Sequence, residues 1–140
     1  MKIMVCYDGS EDAKEGVREA VKHAKAFDAL VLLVTSVSSD NKYYPEKVRP
    51  IEEALKDARS CFDQNKIPCE THISYRAPDI SAGEDLVLFA SNKQVDEIIV
   101  GIKRRSKVGK FLLGSDGQWV ILKAECPVVG VKGNALAAEK

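Results

Sequence analysis

The chain has 140 residues and a mass of 15.4 kDa, the length of one domain. Hydrophobic residues make up 45% and charged residues 30%, a balance that supports one core without disulfide or metal staples. Net charge is zero, which argues against a dedicated nucleic-acid binder, and no apolar run approaches the roughly 18 residues of a membrane span.

Lys2 to Tyr7 reads as a short apolar strand without strict alternation, as in a strand buried on both faces. Met1 to Val5 runs too soon into Asp8 for a signal peptide. Ser10 is a good N-cap, and Ala13, Val17, Ala20, Val21, Ala24 and Phe27 then recur at helical spacing. Leu30 to Val37 is a second apolar strand, and Ser38 to Pro50 is expected to be a polar loop. The next helix carries Ile51, Ala54, Leu55, Ala58 and Phe62 on one face and ends near Asn65. Pro68 to Tyr75 alternates weakly, as a more exposed strand does. Asp79 or Ser81 caps a helix reaching about Asn92, and Val95 to Val100 is the fourth strand, stopping at Gly101. A basic, Gly-bearing loop follows, with Lys103, Arg104, Arg105, Lys107 and Lys110 and no acid. A last helix runs from about Ser115 to Ala124 and a last strand from Val128 to Lys132. Residues 133–140 read as a flexible tail behind a domain spanning 1–132.

Strand and helix alternate throughout, which predicts an α/β fold: a doubly wound, five-stranded parallel sheet with helices on both faces. In such sheets ligands bind beyond the carboxyl ends of the strands, where the strand order reverses. If the order is 3-2-1-4-5, Asp8 and Gly101 meet at that reversal. Strand, Gly-bearing loop and helix start also form a common anion pocket, built from backbone N–H groups and a helix dipole.

Cys6, Cys61, Cys69 and Cys126 form no C-x-x-C pair, and His23 and His72 are the only histidines, so no zinc site is expected. Cys6 falls in a strand and Cys61 is expected on a helix's apolar face, which suggests buried free thiols in a reducing cytoplasm. No Walker motif, nucleophile elbow or other catalytic set is visible.

Several segments together resemble the universal stress protein family over Met1 to Lys132. They are the opening strand into Asp8-Gly9-Ser10, the segment Val95-Asp96-Glu97-Ile98-Ile99-Val100-Gly101, and the ending Cys126-Pro127-Val128-Val129. The family's nucleotide signature, G-x2-G-x9-G-[ST], is matched by Gly101, Gly114 and Ser115, whereas its second Gly is Arg104 here. Asp116 and Arg76-Ala77-Pro78 are further departures, the first because a carboxylate beside Ser115 repels phosphate.

The resemblance implies strand order 3-2-1-4-5 in a Rossmann-like, adenine nucleotide alpha-hydrolase-like topology. It implies binding of ATP or another adenine nucleotide, with Mg²⁺ a possible companion, as a signal in a stress response. It implies little or no catalysis beyond slow ATP hydrolysis, a cytoplasmic homodimer paired through the C-terminal edge strand, and a protein partner of unknown identity. Asp8 would accept hydrogen bonds from the ribose or base, against a plain Asx turn. The backbones of Cys6, Tyr7 and Thr35 would line the ring, against ordinary packing. Gly101, Gly114 and Ser115 would cradle the phosphates, against a simple turn and Ser cap, and Val100 and Asp116 would be among the nucleotide-binding residues. Arg104 would contact phosphate by charge in place of a glycine backbone. Trp119 reads as packing or a dimer contact. The alternative is a dimeric interaction module that has lost nucleotide binding, which Arg104 and Asp116 favour.

Overall fold

The computed structural model describes residues 1–102 and 114–133. Its elements follow in the order β1 (Lys2–Cys6), α1 (Glu11–Phe27), β2 (Leu30–Ser38), a 3-10 turn (Ser39–Asn41), α2 (Pro45–Gln64), β3 (Cys69–Arg76), α3 (Ala82–Lys93), β4 (Glu97–Ile102), α4 (Ser115–Lys123) and β5 (Val128–Lys132). All strand pairs are parallel and the sheet order is β3-β2-β1-β4-β5. The expected doubly wound sheet is therefore present, with its reversal between β1 and β4.

Side-chain alternation along the strands separates two cores. Ile3, Val5 and Tyr7 join Val31, Leu33 and Ile99 beneath α1 and α2. Met4 and Cys6 join Leu32, Val34, Ile98 and Val100 beneath α3 and α4. Central strands apolar on both faces are what a sheet covered on both sides requires.

Local chemistry sets the helix starts. Ser10 Oγ accepts from the Ala13 N–H at 3.2 Å, and Ser81 Oγ accepts from the Glu84 N–H at 3.1 Å. Ser81, not Asp79, is thus the cap of α3. The polar loop expected to end at Pro50 is shorter, because α2 already begins at Pro45. Pro45 occupies the first helical position, where a missing N–H costs nothing and the fixed φ is pre-set. Pro50 lies inside the helix, and buried Val48 anchors the turn between the two prolines. Cys61 also departs from expectation: it is exposed, because Phe62 takes the fully buried position on that turn.

Gly101 does not end β4. It pairs with Val131 inside the strand, which continues to Ile102. A Cβ at this position would lie 2.8 Å from Asp12 C and 3.0 Å from Ala13 N. The glycine lets the first turn of α1 lie against β4. The same turn holds the end of the sheet, since Asp12 Oδ1 accepts from the Gly133 N–H at 2.7 Å.

Candidate functional site

The carboxyl ends of β1, β2 and β4 and the first turns of α3 and α4 enclose a crevice. It holds about 160 Å³ and opens to solvent. It lies on the α3/α4 side of the sheet, so side chains of even-numbered residues in β1 and β2 face it.

Cys6, Tyr7, Asp8, Thr35, Val100, Gly101, Gly114, Ser115 and Asp116 all border this crevice, although they come from four separate segments of the chain. Arg104, the remaining candidate, lies outside the described residues.

Their roles differ. Asp8 follows β1 and borders the crevice. Its Oδ1 accepts from the Ser10 N–H at 3.0 Å, so it forms an Asx turn as well as bordering the crevice. Tyr7 belongs to the core on the other sheet face, and its carbonyl accepts from the Thr35 hydroxyl at 2.7 Å. That bond ties β2 to the end of β1 and commits the Thr35 side chain. Cys6 packs in the crevice-side core, and burial, reinforced by Asp8 and Cys126, pushes its thiol up to about 12. It is therefore a neutral wall at physiological pH, not a nucleophile.

The far end of the crevice is the start of α4. Gly114 is the N-cap, extended at φ −63° and ψ 151°, and among the described residues no side chain caps the helix. Ser115 is consequently the first helical residue rather than the cap. An uncapped helix start carries free-pointing N–H groups and the positive end of the dipole, which favour an anion. Asp116 belongs to a different contact: its Oδ1 accepts from the Gly83 N–H at 2.9 Å, at the start of α3. The carboxylate thus clips α4 to α3, and its charge is held against a second helix N-terminus. Gly83 permits this approach, since a Cβ there would lie 2.9 Å from the Asp116 carbonyl oxygen and 2.9 Å from Trp119 Cβ. Trp119 packs at this α3/α4 contact and stays 37% exposed. Gly117, unfavourable in a helix interior by about 1 kcal/mol, is part of the crevice wall.

A polar cluster that sequence reading missed lies beside the crevice. Asp85 is 8% exposed, the one charged residue among the buried positions described. Its Oδ2 accepts from the Ser36 hydroxyl at 2.6 Å and its Oδ1 from the Ser74 hydroxyl at 3.1 Å. Arg76 donates from Nη1 to Ser36 Oγ at 3.2 Å. Ser36 and Ser74 are register partners on β2 and β3. A signal was present: Leu32, Val34 and Ser36 share one face of β2, so a polar group ends an apolar stripe at the carboxyl end of the strand. The partnership with Asp85 depends on α3 being folded back over that face.

The histidines lie elsewhere. His23 Nδ1 is 2.6 Å from Glu97 Oε1, at the amino end of β4, and His72 lies against Glu70 and Phe89. Among the described residues, no His, Cys, Asp and Glu side chains cluster in a way that would hold a metal ion. No helix among them is long and apolar enough to cross a membrane.

Residues 1–132 match the model of the universal stress protein family. A universal stress protein of Thermus aquaticus is 31% identical, over 93% of this chain and 97% of the relative. The solved universal stress protein of Archaeoglobus fulgidus superposes with a TM-score of 0.84 at 31% identity, covering 94% of this chain and 98% of that one. A structure of the universal stress protein from the same organism in complex with dAMP matches with a TM-score of 0.79 at 28% identity, again over 94% and 98% of the two chains. By its family match, its relatives and its sheet order, the chain belongs to the universal stress protein family.

Proposed function

We propose that this universal stress protein binds ATP or another adenine nucleotide in the β1/β4 crevice, as a regulatory ligand in a stress response. The observation that carries the reading is the polarity of the crevice from end to end. The uncapped α4 start at Gly114 and Ser115 suits phosphate. Asp8 borders the crevice at the end of β1, where a carboxylate can accept from ribose hydroxyls. Val34, Leu86 and Val120 supply apolar wall for a base. The Archaeoglobus fulgidus structure with dAMP supports an adenine nucleotide as the ligand. Asp116, which from sequence counted against phosphate, is engaged with the start of α3. Arg104 would add a charge-assisted phosphate contact. Mg²⁺ would arrive on the phosphates, which supply oxygens of the kind it prefers.

The same reading makes the molecule a cytoplasmic homodimer joined through β5, whose paired side in this sheet faces β4. The nucleotide would set the dimer's surface for a protein partner. Among the described residues of the crevice, Asp8 is the evident candidate for a general base, and the reading is of binding with at most slow hydrolysis.

The test joins two measurements on purified protein. Denaturing it and running the supernatant on anion-exchange chromatography is expected to release adenine nucleotide. A thermal melt with Mg-ATP at a few hundred times its Kd is expected to show about 3 kcal/mol of stabilisation, several degrees for a domain of this size. Asp8→Ala is expected to remove most of that shift while the ligand-free melt changes little. No released nucleotide together with no shift would overturn the reading in favour of an interaction module without a nucleotide.

A further inference from the structure

β3 is one edge of the sheet, and among the described residues no strand lies beyond it. Proline and bulges are common devices for blunting such an edge. β3 has neither: its eight residues contain no proline, and they pair with β2 in unbroken register.

The ladder fixes which backbone groups face outward. The Val31 N–H donates to the Pro68 carbonyl at 2.9 Å, so Pro68 turns its carbonyl toward β2. Backbone direction alternates along a strand. Glu70, His72, Ser74 and Arg76 therefore also face β2 with their backbones, whereas Thr71, Ile73 and Tyr75 turn their N–H and C=O groups outward.

An antiparallel partner strand must set outward-facing residues opposite outward-facing residues. A second copy of β3, turned about a two-fold axis through Ile73, does so. Ile73 meets Ile73, and Thr71 meets Tyr75 of the second copy, a β-branched residue against an aromatic one. The positions between them carry the charges. Glu70 stands opposite Arg76 of the second copy, and Arg76 opposite Glu70 of the second copy. Opposite charges directly across an antiparallel pair attract, and like charges repel. Charged side chains ordinarily protect an edge. Here their opposite signs and equal spacing about Ile73 favour self-pairing in this register. Glu70 is exposed, and Arg76 gives one N–H to Ser36 while its guanidinium carries others.

We propose that β3 is a self-association surface, and that its occupant is β3 of a second copy of this chain, paired antiparallel about Ile73. This edge lies across the sheet from β5, so a dimer joined at one edge keeps the other, and pairing at both builds larger assemblies.

Sedimentation and residue-resolved hydrogen exchange of the full chain test this, at concentrations from about 10 µM to about 1 mM, the range of weak interfaces. Wild type is expected to gain one association step, and the amides of Thr71, Ile73 and Tyr75 to exchange several-fold more slowly at the upper end. Glu70→Arg sets Arg opposite Arg in the same register and is expected to remove that step. Raising salt to about 1 M is expected to restore part of it, because screening weakens the repulsion. Thr71→Pro removes an outward N–H without breaking a bond to β2 and is expected to remove the step as well. Association that leaves the three amides unprotected uses another surface and overturns the inference. So does a step that persists in Glu70→Arg, or a wild type without the step whose three amides exchange freely at 1 mM, which leaves the edge to a strand from a different protein. Were Thr71→Pro to fail to fold, Glu70→Arg and the wild-type amides decide.

Discussion

Gly101→Val is expected to destabilise the protein by about 3 kcal/mol or more, at the upper end of what overpacking costs. Even the first added carbon would lie 2.8 Å from Asp12 C and Cβ and 3.0 Å from Ala13 N. Two of those contacts are backbone, which has no alternative rotamer to move into. β4 cannot retreat either, since it lies hydrogen-bonded between β1 and β5. The first turn of α1 must therefore lift. That turn carries the Ser10 cap and the Asp12 bond to the Gly133 N–H, and the Asp8 turn leads into it. The variant is expected to lose the proposed nucleotide binding as well as stability. Gly16→Ala is the control on the same helix. A Cβ there would meet Ile99 Cγ2 at 3.5 Å and Val5 Cγ1 at 4.0 Å, ordinary contact distances. Because Ala is the better helix former by about 1 kcal/mol, Gly16→Ala is expected to raise the melting temperature. Urea unfolding of the two variants beside wild type measures both. Equal, small effects would mean that α1 is not seated on β4 through this glycine.

Asp85→Ala is expected to cost about 3 kcal/mol. The loss is not one of hydrophobic area, because Ala is no less compatible with a helix than Asp. It arises because the hydroxyls of Ser36 and Ser74 lose their shared acceptor, and bonds to a charged group are worth about 1.5–3 kcal/mol each. Part-burial of both serines limits the cost, since water can reach them. The triple variant Ser36→Ala, Ser74→Ala, Asp85→Ala is expected to recover part of the stability, because it leaves no orphaned hydroxyl, and the Arg76 guanidinium that loses Ser36 is only part-buried. Denaturant midpoints at constant m-value would measure this. A cost under about 1 kcal/mol for Asp85→Ala would show that water replaces the carboxylate, and that the cluster is not a structural unit.

The two sites share a cause that the linear chain expresses only in part. Local patterns were readable because they depend on neighbours a few residues away. The apolar run from Lys2 to Tyr7 marked a strand buried on both faces, Ser10 and the choice of Asp79 or Ser81 marked helix starts, and the alternation of strand and helix marked a parallel α/β sheet. Asp8, Gly114 and Ser115 were placed at one crevice through strand order, and the structure brings them there. Boundaries read from prolines went wrong at α2, since Pro45 and Pro50 are both compatible with an early helical turn and only the burial of Val48 separates them. Cys61 and Phe62 are adjacent on that helix, and which of them turns inward depends on where α2 lies on the sheet.

What the sequence determined by itself was the type and order of elements, hence the fold class and the end of the sheet at which the crevice lies. The tertiary structure alone decided which polar groups meet. Gly101 proved to be a seat for α1 inside a strand, Asp116 a clip to the start of α3, and Ser36 a hydroxyl oriented by Asp85. Each of these contacts joins residues far apart in the chain, and each depends on strand register and helix approach. Side-chain periodicity reports the face a residue occupies, whereas its partner there is set by the close packing of the elements around it.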